Sequence, residues 1–138
     1  RDHPETNFFH FNVDLAQGPC VIKRLRGCGA GCEYVAITPE GDIYPCHQFV
    51  GNEDYKLGSL YDGTFDQELS GRFAGLNIYT REECRDCWAR FYCSGGCSAS
   101  NLLVNGDIKK PHRVGCELER KRLECAIALR AIAAGMAE

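Results

Sequence analysis

Seven of the ten cysteines in this 138-residue chain fall into one long pattern. Cys28 is followed by Gly41 after twelve residues and by Cys46 after four more. Cys84, Cys87, Cys93 and Cys97 then run C-x2-C-x5-C-x3-C, and Cys116 comes after eighteen further residues. Thiolate is a soft ligand that suits zinc and iron–sulfur centres. Thiols set this closely among glycines read as ligands of inorganic centres rather than as core packing.

Three readings of the set compete. Disulfides fit the even count, but no basic segment followed by an apolar run opens the chain as a secretory signal would, and a reducing cytosol does not keep structural disulfides. Bridges between Cys84 and Cys87 or between Cys93 and Cys97 would also close very short loops. Zinc could take Cys84, Cys87, Cys93 and Cys97 as a four-thiolate site. Its pairs are only five residues apart, tighter than the spacing of zinc ribbons, and Cys28, Cys46 and Cys116 are left without a role. Iron–sulfur cubes use more of the pattern, since two groups of thiols would hold two clusters. Gly27-Cys28-Gly29-Ala30-Gly31-Cys32 and Cys93-Ser94-Gly95-Gly96-Cys97 would let backbone approach sulfides closely.

The rest of the chain reads as one small α+β domain. Phe9, Phe11, Val13 and Leu15 alternate with polar residues and predict a half-buried strand within residues 1–19. Residues 33–46 predict a hairpin, with a turn at Pro39-Glu40-Gly41-Asp42 and Pro45 closing the return strand. That hairpin would carry Cys46 back towards Cys28. Residues 47–83 predict loop with one or two short helices. Residues 84–116 form a cysteine knuckle and its return loop. Residues 117–136 predict a helix with Leu118, Cys125, Leu129, Ile132 and Met136 on its apolar face. A net charge of −3 gives no electrostatic case for nucleic acid, and no run reaches the length of a membrane span. With no signal sequence, a cytoplasmic location is expected. The chain opens Arg1-Asp2-His3-Pro4 and reads as a piece of a longer polypeptide.

Cys28-Gly29-Ala30-Gly31, Val35-Ala36-Ile37, Pro39-Glu40-Gly41-Asp42-Ile43-Tyr44-Pro45-Cys46, Cys84-Arg85-Asp86-Cys87 and Tyr92-Cys93-Ser94-Gly95-Gly96-Cys97 together resemble a SPASM domain. That is the C-terminal auxiliary-cluster domain of many radical S-adenosylmethionine (SAM) enzymes, and the likeness covers about residues 20–120. Tyr44-Pro45-Cys46-His47-Gln48-Phe49-Val50-Gly51 resembles the branch that matures ribosomally made six-cysteine (SCIFF) peptides by forming thioether cross-links. The resemblance implies a small irregular cluster-binding domain over residues 20–138, with a β-hairpin, a cysteine knuckle and a C-terminal helix. Residues 1–19 would be the tail of a preceding radical SAM barrel. It implies two auxiliary [4Fe–4S] clusters, one held by Cys84, Cys87, Cys93 and Cys116 and the other by Cys28, Cys46 and Cys97. Cys32, where many members lack a cysteine, either completes the latter or leaves one iron open to a substrate thiolate. SAM and a third [4Fe–4S] cluster would belong to the barrel. The partners implied are that barrel and a cysteine-rich precursor peptide, with neither nucleic acid nor membrane.

A SAM-cleaving centre needs C-x3-C-x2-C. Cys28 and Cys32 begin that run, but Val35 stands at its third position; Cys93 and Cys97 begin it again, but Ser100 does. No catalytic residue for SAM cleavage is therefore expected in this chain. Among the remaining residues, Cys125 reads as core, Cys20 as a structural thiol and His47 as an ordinary polar histidine. Trp88, Phe91 and Tyr92 read as a shield around a cluster or as core.

Overall fold

The turn at Pro39–Asp42 sets the centre of the fold. Gly41 N–H donates to Thr38 O at 2.9 Å and folds strand β1 (Ala36–Ile37) back on β2 (Asp42–Tyr44). The two pair antiparallel, Ala36 opposite Tyr44 and Ile37 opposite Ile43. The computed structural model describes residues 8–16 and 21–135, so Cys20 and Met136 lie outside the described residues. The predicted hairpin is present, and it is half of a larger sheet. β3 (Gly58–Ser59) and β4 (Thr64–Phe65) extend it to a four-stranded antiparallel sheet in the order β1-β2-β3-β4. Residues 47–83 thus hold two strands in addition to the expected loop and short helix. Each strand is two residues long, too short to carry a periodic signal.

β2 is an inner strand, and Ile43 and Tyr44 on its two faces are both buried. They join Cys46, Phe49, Leu57, Leu69, Phe73, Leu76 and Ile108 in the core. Leu69 and Phe73, four apart, come from helix α2 (Gln67–Ala74). Asp66 caps that helix, its carboxylate accepting from Leu69 N–H at 2.8 Å. Phe73 meets Phe49 edge-on at 5.4 Å between ring centres. α2 also fixes the first glycine loop: Ser70 Oγ donates to Gly31 O at 2.7 Å. Gly31 has φ +80°, and a Cβ there would sit 2.7 Å from the Phe73 ring. The glycine at position 31 therefore serves contact with the core.

Helix α1 (Val21–Arg26) packs on α3 (Arg90–Cys93), and Ile78 N–H donates to Leu25 O at 3.0 Å. α4 (Ser98–Asn105) follows the knuckle, and α5 (Arg113–Ala133) closes the domain. α5 begins four residues before the expected start, and its buried face differs from the one read in the sequence. Leu123 and Ala126 are buried, whereas Leu118, Leu129 and Ile132 are half or more exposed; Cys125 is half-buried. Residues 8–16 form no strand: a 3-10 turn at Phe9–Phe11 leads into extended chain with no ladder partner. The alternation still has meaning, because Phe11, Val13 and Leu15 are half-buried and share a groove with Ala126, Leu129 and Ala133 of α5. No helix among the described residues is long and apolar enough to cross a membrane.

Candidate metal centre

Cys84, Cys87, Cys93 and Cys116 line one cavity of about 410 Å³. A 3-10 turn (Glu82–Cys84) delivers Cys84, α3 ends on Cys93, and the first turn of α5 brings Cys116 across the gap. The remaining wall includes Ala89, Gly95, Asn105 and Pro111, with Arg90, Lys110, Arg113 and Arg120 set against Glu83 and Glu119. Four cations against two carboxylates suit an anionic occupant. Burial pushes the Cys84 thiol up to about 11, opposed by the Arg81 guanidinium and assisted by Cys93, Cys116 and Cys87. Burial also raises Cys93 and Cys116. A bound metal reverses this by holding the thiolate. Among the described residues no group of three or more His, Cys, Asp or Glu converges on a single-ion site. Thiols spread around a cavity of this size fit a polynuclear centre, whose ligands stand apart on separate metals.

The other cysteines lie in two places. Cys28 and Cys46 both act on Tyr34: its hydroxyl lies 4.0 Å from Cys28 Sγ, and burial together with these two thiols pushes the phenol up to about 12. Gly31 N–H donates to Pro45 O at 3.0 Å and holds the glycine loop beside the end of β2. Cys97 is the residue before α4. Burial works to raise its thiol, but Ser100 N–H and hydroxyl, Ala99 N–H and Gln48 outweigh it, and the thiol ends below its ordinary value. Gln48 Nε2 lies 3.8 Å from Cys97 Sγ, linking Cys97 to the turn that follows Cys46. Cys97 also shares a smaller cavity of about 200 Å³ with Cys93 and Cys116. Cys32 is exposed, and its thiol donates to Gly29 O at 3.4 Å.

Sequence reading missed the residues that hold this arrangement together. Arg81 is 3% exposed. Its Nη1 donates to Ile108 O at 2.5 Å and Lys109 O at 2.7 Å, and its Nη2 to Ser98 Oγ at 3.0 Å. Asn101, also buried, donates to Ile108 O at 3.4 Å and accepts from His112 N–H at 3.0 Å. Asn105 donates to Lys110 O at 2.8 Å and Pro111 O at 3.2 Å. Three side chains thus satisfy the carbonyls of residues 108–111, the loop that carries the chain to Cys116. Asparagine twice within one short helix, where it is a poor former, was a usable signal; Arg81 beside Glu82 and Glu83 gave none. Gly95 has φ +86°, and a Cβ there would lie 2.8 Å from Arg81 Nε, so the knuckle glycine makes room for this arginine. Trp88, Phe91 and Tyr92 are exposed and lie outside the wall of the four-thiol cavity, which Ala89 and Arg90 form instead. His47 is exposed, and its neighbour Gln48 makes the contact with a thiol.

Comparison with known proteins bears on the kind of centre such thiols serve. Residues 28–88 match SPASM, an iron–sulfur cluster-binding domain. An uncharacterized protein of Archaeoglobus fulgidus is 31% identical over 101 residues, covering 70% of this chain and 24% of that protein. The mycofactocin maturase MftC of Mycobacterium ulcerans is 32% identical over 111 residues, 76% of this chain and 29% of the relative. A PqqA peptide cyclase of Xanthomonas axonopodis pv. citri is 28% identical over 102 residues, 69% and 27%. The chain spans about a quarter of the length of these relatives. Over residues 28–88, which carry Cys28, Cys46, Cys84 and Cys87, the chain is thus similar to the SPASM iron–sulfur cluster-binding domain.

Proposed function

We propose that this chain is the auxiliary-cluster module of a radical SAM enzyme that modifies a ribosomally made peptide, and that it holds two [4Fe–4S] clusters. The observation that carries the reading is the cavity lined by Cys84, Cys87, Cys93 and Cys116. Cys28, Cys46 and Cys97 are the ligands of the other cluster, supported by their links through Tyr34 and Gln48. Relatives named as a maturase and a peptide cyclase support a peptide substrate. Residues 1–19 are then the tail of the barrel domain that holds SAM and a third cluster. The phrase Tyr44–Gly51 supports the finer reading of thioether formation in a cysteine-rich peptide.

Bound clusters supply one-electron acceptors and, at an iron lacking a protein thiolate, a place for a substrate thiolate. Cys32 bonds to the carbonyl of its own loop, which supports three protein ligands and one free position in the group of Cys28, Cys46 and Cys97. The residues around each group fix where thiolates stand: Arg81, Asn101 and Asn105 through the loop before Cys116, and Gln48 at Cys97.

Anaerobic iron, sulfide and zinc analysis tests the reading. About eight irons with matching sulfide are expected for two cubes, falling by about four in Cys116→Ala and, separately, in Cys46→Ala. Cys32→Ala should keep the full count. One or two zincs without sulfide, after anaerobic expression with ample iron, would replace the reading with a structural zinc domain. For the finer claim, the full-length enzyme is incubated with a cysteine-rich peptide; loss of two hydrogens per cross-link with blocked thiols is expected, and loss of mass with all thiols still free would refute it.

A further inference from the structure

Among the described residues one buried side-chain nitrogen or oxygen has no hydrogen-bond partner, Arg90 Nε. Arg90 also lines the four-thiol cavity. Its guanidinium is fixed from two sides: Nη1 donates to Arg85 O at 2.7 Å, and the group lies over the Phe91 ring at 4.8 Å. A buried polar group without a partner calls for an explanation in a native structure. Here the unpartnered Nε belongs to a residue of the wall that carries the four thiols. Arg113 of the same wall differs, since it is highly exposed and pairs with Glu117, and Arg120 acts on the Cys116 thiol.

We propose that Arg90 sets the reduction potential of the cluster held by Cys84, Cys87, Cys93 and Cys116, with its Nε–H donating to a sulfur of that cluster. The inference rests on the assignment of a cluster to this cavity. Reduction adds negative charge to the sulfurs, so a donor there favours the reduced form and raises the potential.

The test uses the reconstituted chain, with iron and sulfide counted and the potential read by EPR-monitored titration. The couple of interest is the one absent from Cys116→Ala. Arg90→Lys keeps the charge and removes the Nε–H. It should retain iron and sulfide while the reduced-to-oxidised ratio at fixed potential falls about tenfold, about 59 mV for one electron. Arg113→Lys should leave the couple where it is. Full iron with an unmoved couple in Arg90→Lys would overturn the proposal. Should Arg90→Lys fail to load iron, the wild-type chain carrying 15N at arginine Nε decides: pulsed EPR of the reduced sample should show coupling to that nitrogen, and its absence overturns the proposal. A wild-type chain with no couple lost on Cys116→Ala would instead overturn the cavity assignment, and this inference with it.

Discussion

Replacing Arg81 by methionine keeps side-chain bulk and removes a buried fork of donors. Three bonds go, to Ile108 O, Lys109 O and Ser98 Oγ. Charge-assisted bonds contribute about 1.5–3 kcal/mol each, so about 4–9 kcal/mol is at stake before corrections. Two corrections reduce it. Burying a guanidinium costs several kcal/mol, which the variant no longer bears. Ile108 O also keeps a bond from Asn101, leaving Lys109 O as the main orphan at about 1–3 kcal/mol. A net loss of about 2–4 kcal/mol follows, which at about 4 °C per kcal/mol is a fall of roughly 8–16 °C in Tm. The assay is thermal unfolding of the iron-loaded chain by circular dichroism under anaerobic conditions. Arg81→Lys should fall between, since one ammonium keeps the charge but not the fork. A chelator should also strip iron faster from Arg81→Met, because the loop leading to Cys116 has lost its anchor. A fall of less than about 3 °C in Arg81→Met with wild-type iron content would refute the claim that this arginine holds the loop.

Gly95→Ala should cost about 1–3 kcal/mol, part from φ +86° and part from contact with Arg81; denaturant unfolding should show the cost smaller in an Arg81→Met background, and full additivity would deny the contact. Phe73→Ala should lose about 3–5 kcal/mol by emptying the centre of the core, measurable by urea unfolding, and it should loosen the Gly31 loop enough to lower the iron held with Cys28 and Cys46. Alkylation of the metal-free chain at pH 7.5 should mark Cys97 first, since its thiol lies below and that of Cys84 above the ordinary value. At a value near 11 only roughly one Cys84 thiol in 3,000 is ionised. Peptide mass spectrometry reads the order, Gln48→Leu should slow Cys97, and equal rates for the two cysteines would contradict the assignment.

The hairpin over residues 33–46 was legible because β-branched residues flank an unambiguous turn, and the knuckle because cysteine spacing survives any fold around it. β3 and β4 were not, since a ladder of two residues is defined by its neighbours and not by its own sequence. The N-terminal alternation marked real burial but not a strand: Phe11, Val13 and Leu15 line a groove against α5. α5 misled for a chemical reason. Its face towards the cavity carries Cys116, Glu119 and Arg120, so the side that meets the protein there is polar and the apolar stripe of Leu118, Leu129 and Ile132 is exposed. Amphipathic reasoning assumes a single oily interior, whereas the first turns of α5 face a polar cavity and its buried apolar pair, Leu123 and Ala126, lies elsewhere. The loop-holding roles of Arg81, Asn101 and Asn105 depend on carbonyls distant in sequence, which no local pattern encodes.

α5 is 21 residues long, a rod of about 30 Å. One end bears a thiol of the metal cavity; the other receives Phe11, Val13 and Leu15, with Arg122 between them reaching His10 O at 3.2 Å. On the proposed ligand set, a cluster would anchor this rod at its Cys116 end. Loss of that cluster to oxygen would remove the tie at Cys116, leave α5 held by the buried Leu123 and Ala126, and loosen its contact with the segment 8–16. A protease added to cell extract would then cut near that segment in oxidised samples and spare it in anaerobic ones, turning a cleavage band into a gauge of how much of the protein still carries its iron.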